Sequence, residues 1–330
     1  MPNDERAVLV APDSFKGTFR ASEVAAAIGR GLESVVAVAP DLMPVADGGE
    51  GTLEVLLLAL GGETAGADAS DALRRPIKAG FGLIEDGSIA IVETAQAIGL
   101  PQIDPSERDA EAASSYGAGQ LIAAAARSGA SRIIVAVGGS ASSDGGAGAL
   151  EALEEAGGIG EAELIICCDV NTQFEKAAEV FGPQKGADPA AVERLTARLN
   201  EFAATLPRDP RGVEMSGGAG GLSGALWAQY GAALEPGADF VLSALSADER
   251  IQAARAVIVG EGRIDRTTLE GKIAAEISVR ARQLGVPCYA VVGSNGLEPI
   301  DQRILDIQAI IEATTLAEIE QAGGQIGAYL

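Results

Sequence analysis

Short β-branched runs alternate with longer alanine-rich stretches along most of the chain, the hydrophobic pattern of successive βα units around a mostly parallel sheet. Strands are predicted at Ala7 to Ala11, Asp41 to Val45, Ile89 to Glu93, Arg132 to Val137, Glu163 to Cys168, Ala256 to Val259, Pro287 to Val292 and Gln308 to Ile311. Between them, Ser22 can cap a helix running to Leu32, Ser115 one running to Ala126, and Pro189 opens one that reaches Ala204. Thr267 and Glu270 have capping-box spacing, after which Ile273, Ile277, Ala281 and Leu284 line one helical face.

The pattern predicts an α/β fold, and the chain is long enough for two domains. It has 330 residues with 47% hydrophobic content, and single cores stop growing near ~250 to 300 residues. Aromatic residues make up only 4%, so Ala, Val, Ile and Leu must fill strands covered on both faces. No long linker, charge block or internal repeat marks a boundary. The expected arrangement is therefore discontinuous: a Rossmann-like parallel-sheet domain from 1-65 and 246-330, with a second α/β domain, 66-245, inserted.

Charge and residue usage narrow the chemistry. A formal charge of -23 repels nucleic acid and anionic bilayers. There is no histidine, which excludes His-dependent triads, His-ligated zinc and a His general base. Acid and base work must fall to carboxylates. Cys167, Cys168 and Cys288 are too few and too poorly spaced for a disulfide framework, and the first two lie in an apolar run, so structural thiols are expected. Met1 to Arg6 lacks a signal-peptide pattern, and no stretch approaches the ~20 apolar residues of a membrane span. A soluble, cytoplasmic protein is expected.

The 43 glycines gather in loops after predicted strands, where open α/β sheets bind ligands. In Asp13, Ser14, Phe15, Lys16, Gly17, Thr18, a lysine beside glycine can hold a phosphate or carboxylate, or can simply sit exposed in a turn. Asp47, Gly48, Gly49, Glu50 and Gly51 place two carboxylates among glycines, suited to Mg2+ or to a substrate hydroxyl; an Asp-Gly turn explains the first half equally well, but not Glu50 and Gly51 at a helix start. Gly138, Gly139, Ser140, Ala141, Ser142, Ser143, Asp144 pair a phosphate-sized nest with a carboxylate, without the Lys-Ser or Lys-Thr of a Walker A loop, or form only a close-packed turn. Glu261, Arg263 and Asp265, with Lys272 beyond, can divide metal and carboxylate binding, or form a local salt-bridge cluster. Phe181 to Gly186 (FGPQKG) is glycine-rich without a decisive reading, and Gly217 to Gly224 (GGAGGLSG) reads as a helix entry.

In their order these segments resemble the type I glycerate kinase family: APDSFKGT from Ala11, ADGGEGT from Ala46, SYGAGQLI from Ser115, GGSASSDGGAG from Gly138, FGPQKGA from Phe181, GGAGGLSGAL from Gly217, and GEGRID from Gly260 leading to Gly271 and Lys272. The resemblance covers about residues 7 to 295. It implies two α/β domains with the active site in the cleft between them, ATP and D-glycerate as substrates, Mg2+ as cofactor and 2-phosphoglycerate as product. It departs from the family's usual pattern where Asp169, Val170, Asn171, Thr172, Gln173 and Phe174 lead on without the expected glycine loop, and where Ser142 and Ser143 replace Thr-Asn.

Phosphoryl transfer needs alignment, charge neutralisation and a destination for the hydroxyl proton. The expected roles are Asp47 as general base or metal-facing carboxylate, with Lys16 and Arg263 neutralising substrate carboxylate and transferring phosphate. Glu50, Asp144 and Glu261 are the candidate Mg2+ ligands, and Ser14, Gly48, Gly49, Gly138, Gly139, Ser140 and Lys272 the candidate substrate and ATP contacts. The partners expected are small molecules, ATP and a hydroxy acid such as glycerate, with no nucleic acid and no membrane, and a homodimer is compatible with this. Alternatives are a kinase of another small hydroxy acid, a non-catalytic paralogue binding a sugar acid or nucleotide, and, more remotely, a nicotinamide oxidoreductase.

Overall fold

The computed structural model describes residues 6–270 and 272–330. Gly271 and the first five residues, read above for motif and signal patterns, lie outside the described residues, as does the Glu270 side chain. Most β-branched runs become strands: β1 (Val8–Pro12), β2 (Asp41–Leu42), β3 (Glu63–Ser70), β4 (Pro76–Ile84), β5 (Ile89–Glu93), β6 (Arg132–Ala136), β7 (Glu163–Cys168), β8 (Ala233–Pro236), β9 (Ala256–Ile264), β10 (Cys288–Asn295) and β11 (Ile307–Glu312). They divide between two units, the chain up to Asp47 with Val241–Leu330, and Gly48–Phe240.

The first unit has an all-parallel sheet in the order β11-β10-β9-β1-β2. Every residue of β1 is buried, as expected of a central parallel strand covered on both faces. The β2 run is cut to two residues: Met43 and Val45 still donate to Val10 and Pro12, but Pro12 on the facing side of β1 has no N–H to give in return. On one face, helices Ala21–Glu33 and Leu316–Gly327 meet backbone to backbone. A Cβ on Gly31 would lie 1.9 Å from the Glu320 carbonyl oxygen, and one on Gly323 2.4 Å from that of Ile28. Val8, Val10, Ile28, Leu32, Ile258 and Ile319 pack the core beneath.

The second unit has a mixed sheet, β3-β4-β5-β6-β7-β8, antiparallel from β3 to β5 and parallel from β5 to β8. The β3–β4 hairpin is absent from the hydrophobic pattern because Glu63–Ser70 is a half-exposed edge of small and polar residues. Its turn is fixed by Asp71, whose carboxylate accepts from the N–H groups of Leu73 and Arg75. The units divide at 47/48 and 240/241, where 65/66 and 245/246 were expected. Helix Thr52–Leu60 packs on β4, leaving a Cβ at Gly82 only 2.7 Å from Leu53 Cδ1, and so belongs with the second sheet. The capping-box reading at Thr267 also gives way. Asp265 accepts from the Thr267 N–H and hydroxyl, Arg266–Glu270 forms a 3-10 turn, and the helix begins at Ile273 with Lys272 as its cap.

Gly217–Gly224 is a helix entry, a 3-10 turn over Gly218–Gly221 followed by helix Leu222–Tyr230. All three cysteines are free and buried, and burial pushes the Cys168 and Cys288 thiols up to about 12 and that of Cys167 higher still. Among the described residues no helix is long and apolar enough to cross a membrane.

Candidate functional site

Parallel strands deliver their carboxyl ends to one edge of a sheet, and in the first unit that edge carries a cavity of about 420 Å³. After β1 the chain turns at once: Phe15 is buried and exchanges backbone hydrogen bonds with Phe19, and Gly17 takes φ +82°. The turn is thus anchored by Phe15 and leaves Lys16 exposed at the cavity. The run read as a loop after Val259 is instead a continuation of β9, with Glu261 opposite Val292 and Arg263 opposite Ser294 of β10. Side chains two apart on a strand share a face, and Glu261 and Arg263 both line the cavity. Close approach of β9 and β10 needs glycine here, for a Cβ on Gly293 would lie 2.4 Å from the Gly262 carbonyl oxygen.

Six ionisable side chains border this cavity: Asp13, Lys16, Asp47, Glu261, Arg263 and Lys272, with Ser14 beside them. Lys16 Nζ lies 3.0 Å from Asp47 Oδ2. Lys272 Nζ lies 3.5 Å from one Glu261 oxygen, while the other accepts from the Thr268 hydroxyl at 3.0 Å. Burial raises the Glu261 carboxyl, and Lys272 and Thr268 pull it back. Arg263 Nε contacts Asp265 at 2.9 Å, yet its side chain remains 72% exposed. Asp265 is held below the usual carboxylate range, first by the Thr267 hydroxyl.

Asp13 is the residue of this set that sequence reasoning left without a role. It is 7% exposed, and burial first, then the charge of Asp47, raises its carboxyl to about 8. The missed signal was its position, immediately after a fully buried strand and ahead of the Lys16 turn.

In the second unit, the loops after Asp47 and after β6 meet through glycine. A Cβ on Gly138 would lie 2.6 Å from Gly49 Cα, and one on Gly139 would lie 4.0 Å from a Glu50 carboxylate oxygen. Gly48 takes φ +91° and approaches Gly237 equally closely. The structure therefore brings together Gly48, Gly49, Glu50, Gly138 and Gly139. Among the described residues, the N–H groups of Gly138, Gly139 and Ser140 donate to no protein acceptor, leaving a row of donors suited to phosphate oxygens. Glu93 supports the first loop from within. It is 2% exposed, its carboxylate accepts from the N–H groups of Gly51 and Leu53 at 3.0 and 3.1 Å, and burial raises its carboxyl.

Asp144 is placed differently from the other candidate metal ligands. Its Oδ2 accepts from the Ser115 N–H, the Ser115 hydroxyl and the Gly148 N–H, and its Oδ1 from Gly146 N–H. Four donors on one carboxylate tie the starts of helices Tyr116–Arg127 and Ala147–Glu155 together. Among the described residues no three Asp, Glu or Cys side chains group as a metal site. A magnesium ion commonly takes only one or two carboxylates, completing its shell with water and substrate phosphates.

Two α/β units, one with a cavity of mixed carboxylates and cations at its strand ends and the other with a glycine-lined row of free N–H donors, define a protein that handles small anionic ligands. The comparisons make the class specific. The family model described as the glycerate kinase family matches residues 8–157 and 156–323, and the chain belongs to that family. A glycerate kinase of Halalkalibacterium halodurans is 37% identical over 325 residues, covering 88% of this chain and 86% of that protein. A glycerate 2-kinase of Escherichia coli is 34% identical over 323 residues, covering 87% and 85%. A crystal structure from Salmonella typhimurium LT2, provisionally assigned as glycerate kinase 2, superposes with a TM-score of 0.82 at 29% identity over 99% of this chain and 98% of that one.

Proposed function

We propose that the protein transfers the γ-phosphoryl group of ATP to the 2-hydroxyl of D-glycerate. The observation that carries this reading is the gathering of Asp13, Lys16, Asp47, Glu261, Arg263 and Lys272 around one cavity in a chain of the glycerate kinase family. A small hydroxy acid offers a carboxylate for a cation to grip and a hydroxyl for a carboxylate to deprotonate, and the cavity has both.

Arg263, whose guanidinium is largely exposed, binds the glycerate carboxylate through its planar fork of donors. Lys16 neutralises charge on the transferring phosphoryl group, and its contact with Asp47 keeps that carboxylate oriented. Asp47 accepts the hydroxyl proton. Asp13, biased towards its neutral form by burial, keeps a further negative charge out of a cavity that must admit two anions. Ser14 and Lys272 complete the substrate contacts, and the N–H groups of Gly138, Gly139 and Ser140, with Gly48 and Gly49, take the ATP phosphates.

The donor set of the first unit's cavity fits magnesium, since the hard carboxylate oxygens of Asp47 and Glu261 border it; Glu50, beside Gly139 in the second unit, is a separate candidate. When bound with the nucleotide, Mg2+ supplies charge neutralisation across the phosphates. Asp144, with its oxygens already engaged, is assigned to holding the glycine-rich loop.

A coupled assay with ATP, Mg2+ and D-glycerate tests the reading. Product that enolase consumes directly is 2-phosphoglycerate. A requirement for added mutase assigns the 3-position, and turnover only with other hydroxy acids rejects glycerate as the substrate.

A further inference from the structure

The loop after β6 is gripped by motifs that the reading above leaves without a task. Two cations reach it. Lys185, at the end of FGPQK and only 3% exposed, donates from Nζ to the Ser142 carbonyl oxygen. Arg198, on helix Pro189–Ala203, donates to the next carbonyl, that of Ser143, at 3.2 Å, and to Glu111 O at 2.9 Å. GGAGGLSG packs against the same carbonyl: a Cβ on Gly220 would lie 2.2 Å from the Ser142 carbonyl oxygen, and Gly145 donates to Gly220 O at 3.0 Å.

In a trans peptide the C=O and the following N–H point in opposite directions, and among the described residues no peptide is cis. Drawing the Ser142 and Ser143 carbonyls onto Lys185 and Arg198 therefore aims the N–H groups of Ser143 and Asp144 away from these cations. The Ser143 hydroxyl is buried within this packing and has no hydrogen-bond partner among the described residues. Stability alone is a poor reason for Lys185. A buried ammonium is costly to desolvate, and an apolar side chain of similar volume would fill the same space.

We propose that Lys185 and Arg198 are positioning residues that hold the Ser142 and Ser143 peptides so that the N–H groups of Gly138, Gly139 and Ser140, at the head of the same loop, are presented to the phosphate chain of the nucleotide. This rests on the assignment of the loop to ATP phosphates, not on glycerate being the acceptor.

The test compares Lys185→Met and Arg198→Gln with the wild type, using ADP and adenosine as calorimetric probes and measuring KM for each substrate. Loss of a charge-assisted hydrogen bond is expected to weaken ADP binding and raise KM for ATP by about tenfold or more. Adenosine binding and KM for glycerate should stay within about twofold, because the acid-binding groups lie elsewhere. Lys185→Arg, which keeps a charged donor, should recover part of the ADP affinity. Unchanged ADP affinity in folded variants overturns the proposal, as does equal weakening of ADP and adenosine. If Lys185→Met does not fold, Arg198→Gln decides on the same readouts. A wild type that binds ADP yet fails to phosphorylate glycerate would sink the proposed reaction and leave this inference standing.

Discussion

Lys16 Nζ sits 3.0 Å from Asp47 Oδ2, joining the turn after β1 to the segment that leaves β2. The lysine side chain is 60% exposed and that of the aspartate 11%, so the pair is not chiefly a stabilising one: an ion pair with an exposed partner contributes ~0 to 1 kcal/mol. In the proposed reaction its consequence is chemical. Asp47→Asn is expected to lower kcat by about 10²- to 10⁴-fold with an unchanged circular dichroism spectrum. A kcat near that of the wild type would remove Asp47 from proton transfer.

Variants of Arg263 would separate binding from chemistry in the proposed reaction. Because its side chain is largely exposed, Arg263→Met should leave the melting temperature unaltered while raising KM for glycerate by about tenfold or more. Arg263→Lys should recover little of it, since a point charge cannot reproduce bidentate contact with a carboxylate. Equal KM values in all three proteins would place the acid elsewhere.

Asp13 gives stability a pH dependence of known sign. Its folded-state carboxyl is raised to about 8 from an ordinary 3.8, so the folded protein holds a proton that the unfolded chain releases. The associated stability is complete below about 4 and is lost as pH rises to about 8. Asp13→Asn should flatten the melting temperature across that interval. An unchanged slope would show that other groups dominate it.

Gly293 tests the contact between β9 and β10. A methyl group there meets the Gly262 carbonyl oxygen at 2.4 Å, and overpacking of this kind costs about 1 to 3 kcal/mol. Gly293→Ala should lower both the unfolding midpoint in urea and kcat, because the displaced strand carries Glu261 and Arg263.

Glu93 is expected to act through the loop that it supports. Glu93→Ala leaves the N–H groups of Gly51 and Leu53 without their acceptor, at about 1 to 3 kcal/mol for a buried donor. Glu93→Gln, which keeps a carbonyl oxygen, should lose less. If both variants melt with the wild type, the carboxylate does not hold the loop.

Much of this was legible in the chain because buried parallel strands are written as continuous β-branched runs, and β5 and β7 fall on the predicted residues. The β3–β4 hairpin was not, because an edge strand of Gly, Ala and Asp carries no such signal. The Lys16, Asp47, Glu261, Arg263 and Lys272 set could be nominated from motifs, since charged residues after strands mark ligand sites in open sheets. Asp13 and Glu93 escaped because what distinguishes them is burial, which arises only when distant segments close around a carboxyl. The same holds for Asp144. Its spacing reads as a metal ligand, and only the folded chain shows four donors already claiming it.

The buried thiols turn the protein into its own reporter of opening. With Cys168 and Cys288 at about 12, almost no thiolate is present at neutral pH, and alkylating reagents must wait for the chain to breathe. Cys167 and Cys168 lie on β7 in one unit and Cys288 on β10 in the other. Peptide-resolved labelling rates would therefore time the loosening of each sheet separately, without any introduced probe.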